Sequence, residues 1–74
     1  MKKVKFGIPY ENQVEVTVDG DKYGILIFDH EQNTWVLWPQ SIDDGISYSD
    51  NLSETEETIT DEIQNYSVDS YINN

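Results

Sequence analysis

The dipeptide Asp19-Gly20 constrains what this chain can fold into more than any other feature. Before it, Val14, Val16 and Val18 alternate with Glu15 and Thr17, the period of two of a half-buried strand. After it comes an apolar run from Tyr23 to Phe28, YGILIF. Asp-Gly supplies the positive φ angles that a tight hairpin turn needs, so the two segments are expected to be antiparallel neighbours. A run that is apolar on both parities needs cover on both faces, which makes Tyr23 to Phe28 the expected central strand.

The flanking segments extend this sheet. Val4, Phe6, Ile8 and Tyr10 alternate with Lys3, Lys5, Gly7 and Pro9, and Pro9 cannot donate to a ladder, so this is expected to be an edge strand or one that ends there. Thr34 to Trp38, TWVLW, is expected to form a second hairpin with the central strand across the polar turn Asp29 to Asn33. Pro39 is expected to stop its ladder, and Ile46 and Tyr48 suggest a short last strand. Trp35 and Trp38 have opposite parity and should point to opposite faces. One fills the core; the other is an interface anchor unless the amino-terminal strands or a second copy cover it.

From Leu52 the period changes. Leu52, Ile59, Ile63 and Tyr66 lie seven, four and three residues apart, one stripe of a helix. Glu54, Glu57 and Asp61 form a second stripe with no basic residue among them. Asn51 with Glu54, or Ser53 with Glu56, resembles a capping box. Thr55, Thr58 and Thr60 are mediocre helix formers and the clustered carboxylates repel, so the helix is expected to depend on packing against the sheet. Past Tyr66 the period falters, and Asn73-Asn74 is expected to fray. The expected fold is one α+β domain over residues 1–74, an antiparallel sheet of four to five strands with one C-terminal acidic helix packed on one face. Residues 1–38 form the hairpin sheet, 39–50 an acidic loop with a short strand, and 51–72 the helix.

Charge narrows the function. Fifteen acids face four lysines, Lys2, Lys3, Lys5 and Lys22, and the formal net charge is −11. Beyond Lys22 every formal charge is negative. A nucleic-acid binder needs a cationic footprint, so direct DNA or RNA binding is not expected. The complementary partner is a basic protein surface, including the phosphate-binding face of a nucleic-acid protein. There is no cysteine, hence no disulfide or thiolate zinc site, which suits a reducing cytoplasm. Met1-Lys2-Lys3-Val4-Lys5 resembles the start of a signal peptide, but Gly7, Pro9, Glu11 and Asn12 replace the apolar run. Nothing approaches the ~20 apolar residues of a membrane span. The expected location is cytoplasmic.

Catalytic chemistry lacks parts. His30 is the only imidazole, it lies in a turn, and neither cysteine nor arginine is present. Asp19 and Asp21 around Gly20, and Asp43 and Asp44 before Gly45, lack calcium-loop spacing and are explained by turn chemistry. No catalytic residue, metal site or cofactor is expected. Ser53-Glu54-Thr55-Glu56 would suit an acid-directed kinase, but capping accounts for it more simply. An acidic helix ordinarily forms a solvated face. Here the negative residues continue into Asp43, Asp44 and Asp50, and spacings of three and four residues separate carboxylates by about 4.5 to 6 Å along a helix axis, near the scale of a phosphate backbone.

The stretch TWVLWPQSIDDGISYSDNLSETEETI orders an aromatic strand, a proline loop with an acid and a glycine, a short strand, a polar cap with leucine, and an acidic helix. In this order, with Trp38-Pro39, Asp44-Gly45, Ile46-Ser47-Tyr48 and Asn51-Leu52 in corresponding places, it resembles the HicB-like antitoxin fold over Tyr23 to Tyr66. That fold is a partly degraded double-stranded-RNA-binding-like β-β-β-α domain. Glu56 stands where the family has an apolar residue, and the strands before Asp19 have no counterpart. The family's DNA-binding extension is also missing, so operator binding is not implied. What the resemblance implies is an acidic domain that binds and neutralises a basic partner.

These observations lead to one expectation. The protein is a small non-catalytic inhibitor, encoded by a phage or mobile element, of a nucleic-acid-acting protein. Asp43, Asp44, Asp50, Glu54, Glu57 and Asp61 supply its charge, and Trp35 or Trp38 anchors the contact. An antitoxin for one cognate toxin, and an acidic module that self-associates as a homodimer, are the alternatives.

Overall fold

The computed structural model describes residues 2–40 and 43–72, with side chains through residue 65. Five strands, β1 (Val4–Phe6), β2 (Gln13–Val18), β3 (Asp21–Asp29), β4 (Thr34–Pro39) and β5 (Ile46–Ser47), precede one helix, α1 (Leu52–Ile72). The strands form one antiparallel sheet in the order β1-β2-β3-β4-β5. The fold is α+β, and the YGILIF strand is central.

Both turns next to β2 twist in the sense that hairpins prefer. Asp19 and Gly20 take φ of 53° and 88° between β2 and β3. A second tight turn was not evident from the sequence. Glu11 (φ 50°) and Asn12 (φ 63°) reverse the chain inside paired backbone bonds, Tyr10 N to Gln13 O at 2.9 Å and Gln13 N to Tyr10 O at 3.0 Å. Asn accepts this conformation readily, whereas Glu rarely does.

That turn corrects the first strand. The alternation suggested a strand through Tyr10, but β1 ends at Phe6, leaving Ile8 91 % and Tyr10 74 % exposed. Phe6 pairs with Val16 but Tyr10 bridges Gln13, a slip of one residue across Gly7 to Pro9. Proline has no N–H to hold the intervening ladder. Pro39 ends β4. It pairs with Gly24 as the last residue of the strand, and the next amide, Gln40, still donates to Tyr23 O at 2.8 Å. Consecutive amides point to opposite sides, so the missing donor of Pro39 faces away from β3. The backbones are close here. A Cβ on Gly24 would lie 2.6 Å from the Trp38 carbonyl oxygen, so only glycine fits.

One face of the sheet carries the core. Val14, Val16, Leu26, Trp35 and Leu37 form a buried cluster with Ile59 and Ile63 of α1, joined by Phe6, Phe28, Tyr48 and Leu52 at its margin. Burying an aliphatic side chain of this size contributes about 1.5–3 kcal/mol, against about 0.2–0.5 kcal/mol lost per exposed like-charge pair on a helix. Packing therefore outweighs the repulsion along α1. Tyr66 and the Asn73-Asn74 end lie outside the described side chains and residues.

Candidate functional site

Helix α1 starts where its cap dictates. Asn51 Oδ1 accepts from Glu54 N at 3.0 Å, and Ser49 Oγ accepts from Asn51 N at 3.0 Å. The Asn51 register is therefore the one used, with Glu54 at the third helical position, where the dipole favours a carboxylate. Thr55 completes the joint. It is fully buried, and its hydroxyl donates to Ser49 O at 3.3 Å. Sequence reasoning treated Thr55 only as a weak helix former; its place between Leu52 and Ile59 on the buried stripe was the available signal.

At roughly 100° of turn per residue, Thr55, Ile59 and Ile63 point one way and Glu54, Glu57 and Asp61 point the other, within about 60° of one another. All three acids are exposed and Asp50, also exposed, precedes the cap. The helix thus shows a carboxylate row on the side farthest from the sheet. Neighbouring carboxylates of the row repel by about 0.2–0.5 kcal/mol per exposed pair, repulsion that an incoming cation would relieve. Glu62 faces elsewhere. Its Oε1 accepts from the Tyr48 hydroxyl at 2.6 Å, tying α1 to the chain just after β5. Burial, and then the Glu62 carboxylate, push the Tyr48 phenol well above its ordinary value. Glu56, on the flank of the buried stripe, is pushed up by desolvation.

The other predicted residues divide between core and far face. Trp35 is 9 % exposed, and its ring meets Phe28 edge-on at 5.3 Å, inside the core under the helix. This corrects its assignment as a partner-binding residue: parity sends Trp35 to the helix side, where Ile59 and Ile63 close over the sheet. Trp38 is 44 % exposed on the opposite face. Asp43 and Asp44 are exposed in the loop that leads into β5. Gly45 lies so close to Val36 and the Trp38 ring that a Cβ there would be 2.7 Å from Val36 Cγ1 and 3.0 Å from Trp38 Cζ2. Gly45 therefore sits against the face away from α1, and Asp50 immediately precedes the helix cap.

Cross-strand partners share a face, which gives the open face its composition. One row runs Glu15, Ile25, Trp38 and another Gln13, Ile27, Val36, Ser47. A third, at the end near the Asp19-Gly20 turn, runs Lys5, Thr17, Lys22. Its centre is apolar and its margins carry both signs of charge.

His30 lies in the turn after β3. It packs edge-on against Phe28 at 5.1 Å, and Nε2 lies 3.2 Å from Asn12 Nδ2. Asp29 is spent on its turn, accepting from the amides of Glu31 at 2.9 Å and Gln32 at 3.3 Å. Among the described residues no group of three or more acids and imidazoles is placed to hold a metal ion, and no helix is long and apolar enough to cross a membrane. The chain matches no family model, no curated protein and no solved structure.

Proposed function

We propose that this protein is a small, non-catalytic, acidic inhibitor that binds a basic surface of a nucleic-acid-acting protein and excludes DNA or RNA from it. The single observation that carries this reading is the row Glu54, Glu57, Asp61, exposed on the side of α1 opposite its buried stripe. A row of carboxylates rising about 4.5 to 6 Å per step follows the cationic sites of a phosphate-binding groove. The row is presented on a packed and capped helix, so little ordering is required on binding. Asp50 extends it at the helix start. Size and acidity favour a phage or mobile element as the source and a host cytoplasm as the place of action.

Capture from host lysate on immobilised protein, washed at rising salt and read by mass spectrometry, tests it. The native chain should retain a basic nucleic-acid-acting protein and release it as salt rises. The Glu54→Gln, Glu57→Gln, Asp61→Gln variant should associate with that protein about tenfold or more slowly at low salt. Equal capture by the two proteins would overturn the proposal. The antitoxin alternative draws on the order β3, β4, β5, α1 over the stretch that resembles HicB-like domains. It predicts one small cognate toxin as the partner.

A further inference from the structure

We propose that the open face of the sheet is a homodimer interface, formed face to face with a second copy about a two-fold axis running along β3. Ile25 and Ile27 are half-buried there and Trp38 is 44 % exposed, an apolar centre left partly open although Val36 beside it is buried, with Gly45 against it. The margins identify the occupant. Lys5 faces this side because Val4 and Phe6, its neighbours, pack on the core, and Lys3 has the same parity. Both lysines lie at the β1 side, at the sheet end where β1 begins and β2 finishes. Asp43 and Asp44 lead into β5 at that same end but on the opposite side, because β5 runs antiparallel to β4.

A rotation about the β3 direction exchanges the β1 side of one copy with the β5 side of the other and keeps the ends together. It therefore sets Lys3 and Lys5 of each copy over Asp43 and Asp44 of its mate, with Ile25 near the axis. A uniformly basic partner would meet Lys3, Lys5 and Lys22 as like charge, whereas a second copy sets like charge together only at Lys22, which lies on β3 near the axis. The contact is isologous and closes at two copies, and it turns both helix rows outward. The face is only about 20 Å wide, four strand spacings of roughly 4.8 Å, so the dimer is a dissociable one. Long-range repulsion between chains of net charge −11 weakens it further at low ionic strength.

Sedimentation velocity from micromolar to millimolar protein, at about 0.15 M salt where the screening length is about 8 Å, should show a monomer–dimer equilibrium. The Lys3→Glu, Lys5→Glu variant and the Asp43→Lys, Asp44→Lys variant should each be monomeric over that range, since each sets like charges over like. Mixed together they should form a heterodimer, because both sets of pairs are then restored with reversed sign in one. Far-ultraviolet circular dichroism confirms that each variant is folded; all four positions are exposed. A native chain that stays monomeric throughout, or variants that self-associate as well as the native chain, would overturn the proposal. So would a mixture no more associated than its components. Loss of lysate capture on Trp38→Ser, with the native chain monomeric, would assign the face to a different protein.

Discussion

The two faces of the sheet come from the same strands and differ in what they require. On β3, Leu26 points under the helix and is fully buried, whereas its neighbours Ile25 and Ile27 point the other way and are half-covered by their own sheet. On β4, Leu37 and Trp35 are buried under α1 while Trp38 stays exposed. The helix-covered face holds the fold; the open face supports it less. Charge follows the same division. Above the covered face lies a helix surface of carboxylates alone, and around the open face lysines and aspartates alternate by side. Cohesion and contact are thus assigned to alternate residues of one strand, which an antiparallel sheet permits because its period is two.

The largest test of this contrast compares Leu26→Ala with Ile25→Ala in dilute protein, by urea unfolding. Leu26→Ala should cost about 2–5 kcal/mol, the range for an aliphatic cavity in a closed core. For a chain of 74 residues, whose whole stability is of the order of 4–11 kcal/mol, that approaches loss of the fold. Ile25→Ala should cost about 1 kcal/mol or less, because its site is open and water takes up part of the space. Equal costs would erase the distinction between the faces.

A smaller effect sharpens it. Asn51→Ala removes the acceptor for Glu54 N and should cost about 1 kcal/mol. Amide exchange should quicken through the first turn of α1 and stay unchanged at Ile25 and Ile27, which do not depend on that turn. The smallest effect is a pH slope. The Tyr48 phenol holds its proton more tightly folded than unfolded. The stability it supplies is therefore present below the titration of an unfolded tyrosine and is lost as pH rises above it. Tyr48→Phe should cost about 0.5–1.5 kcal/mol at neutral pH and flatten the alkaline fall in stability relative to the native chain. An identical alkaline slope in the two proteins would mean that neither the burial of the Tyr48 phenol nor its bond to Glu62 holds in solution.

Much of the fold was legible because local pattern and global arrangement agree. Asp19-Gly20, the alternating valines and the YGILIF run placed β2 and β3, and the step from period two to period three and four marked α1. The opposite parity of Trp35 and Trp38 was legible as well, but not which of them the helix covers. That depends on the side to which the chain crosses after β5, a tertiary choice without a local signature. Alternation overran β1 because Ile8 and Tyr10 keep the period after Pro9 has broken the ladder. The acids looked continuous along the sequence, yet Gly45 holds the chain before β5 against the far face, at Val36 and Trp38. A glycine in a loop does not announce which surface it will press against.

Gln64 of α1 reaches back to the second residue, its Nε2 donating to Lys2 O at 2.6 Å and its Oε1 accepting from Lys2 N at 3.2 Å, across 62 positions of sequence. The sheet is built from neighbours in order and can zip hairpin by hairpin. This clasp cannot form until Gln64 has left the ribosome, and because closure entropy grows only slowly with length its late arrival adds little thermodynamic cost. Lys2 thus waits for the helix, although its neighbour Lys3 can already be tied to Asp19 of the first hairpin. A bulky fusion placed ahead of Lys2 would act on the last step of assembly and leave the hairpins that precede it intact.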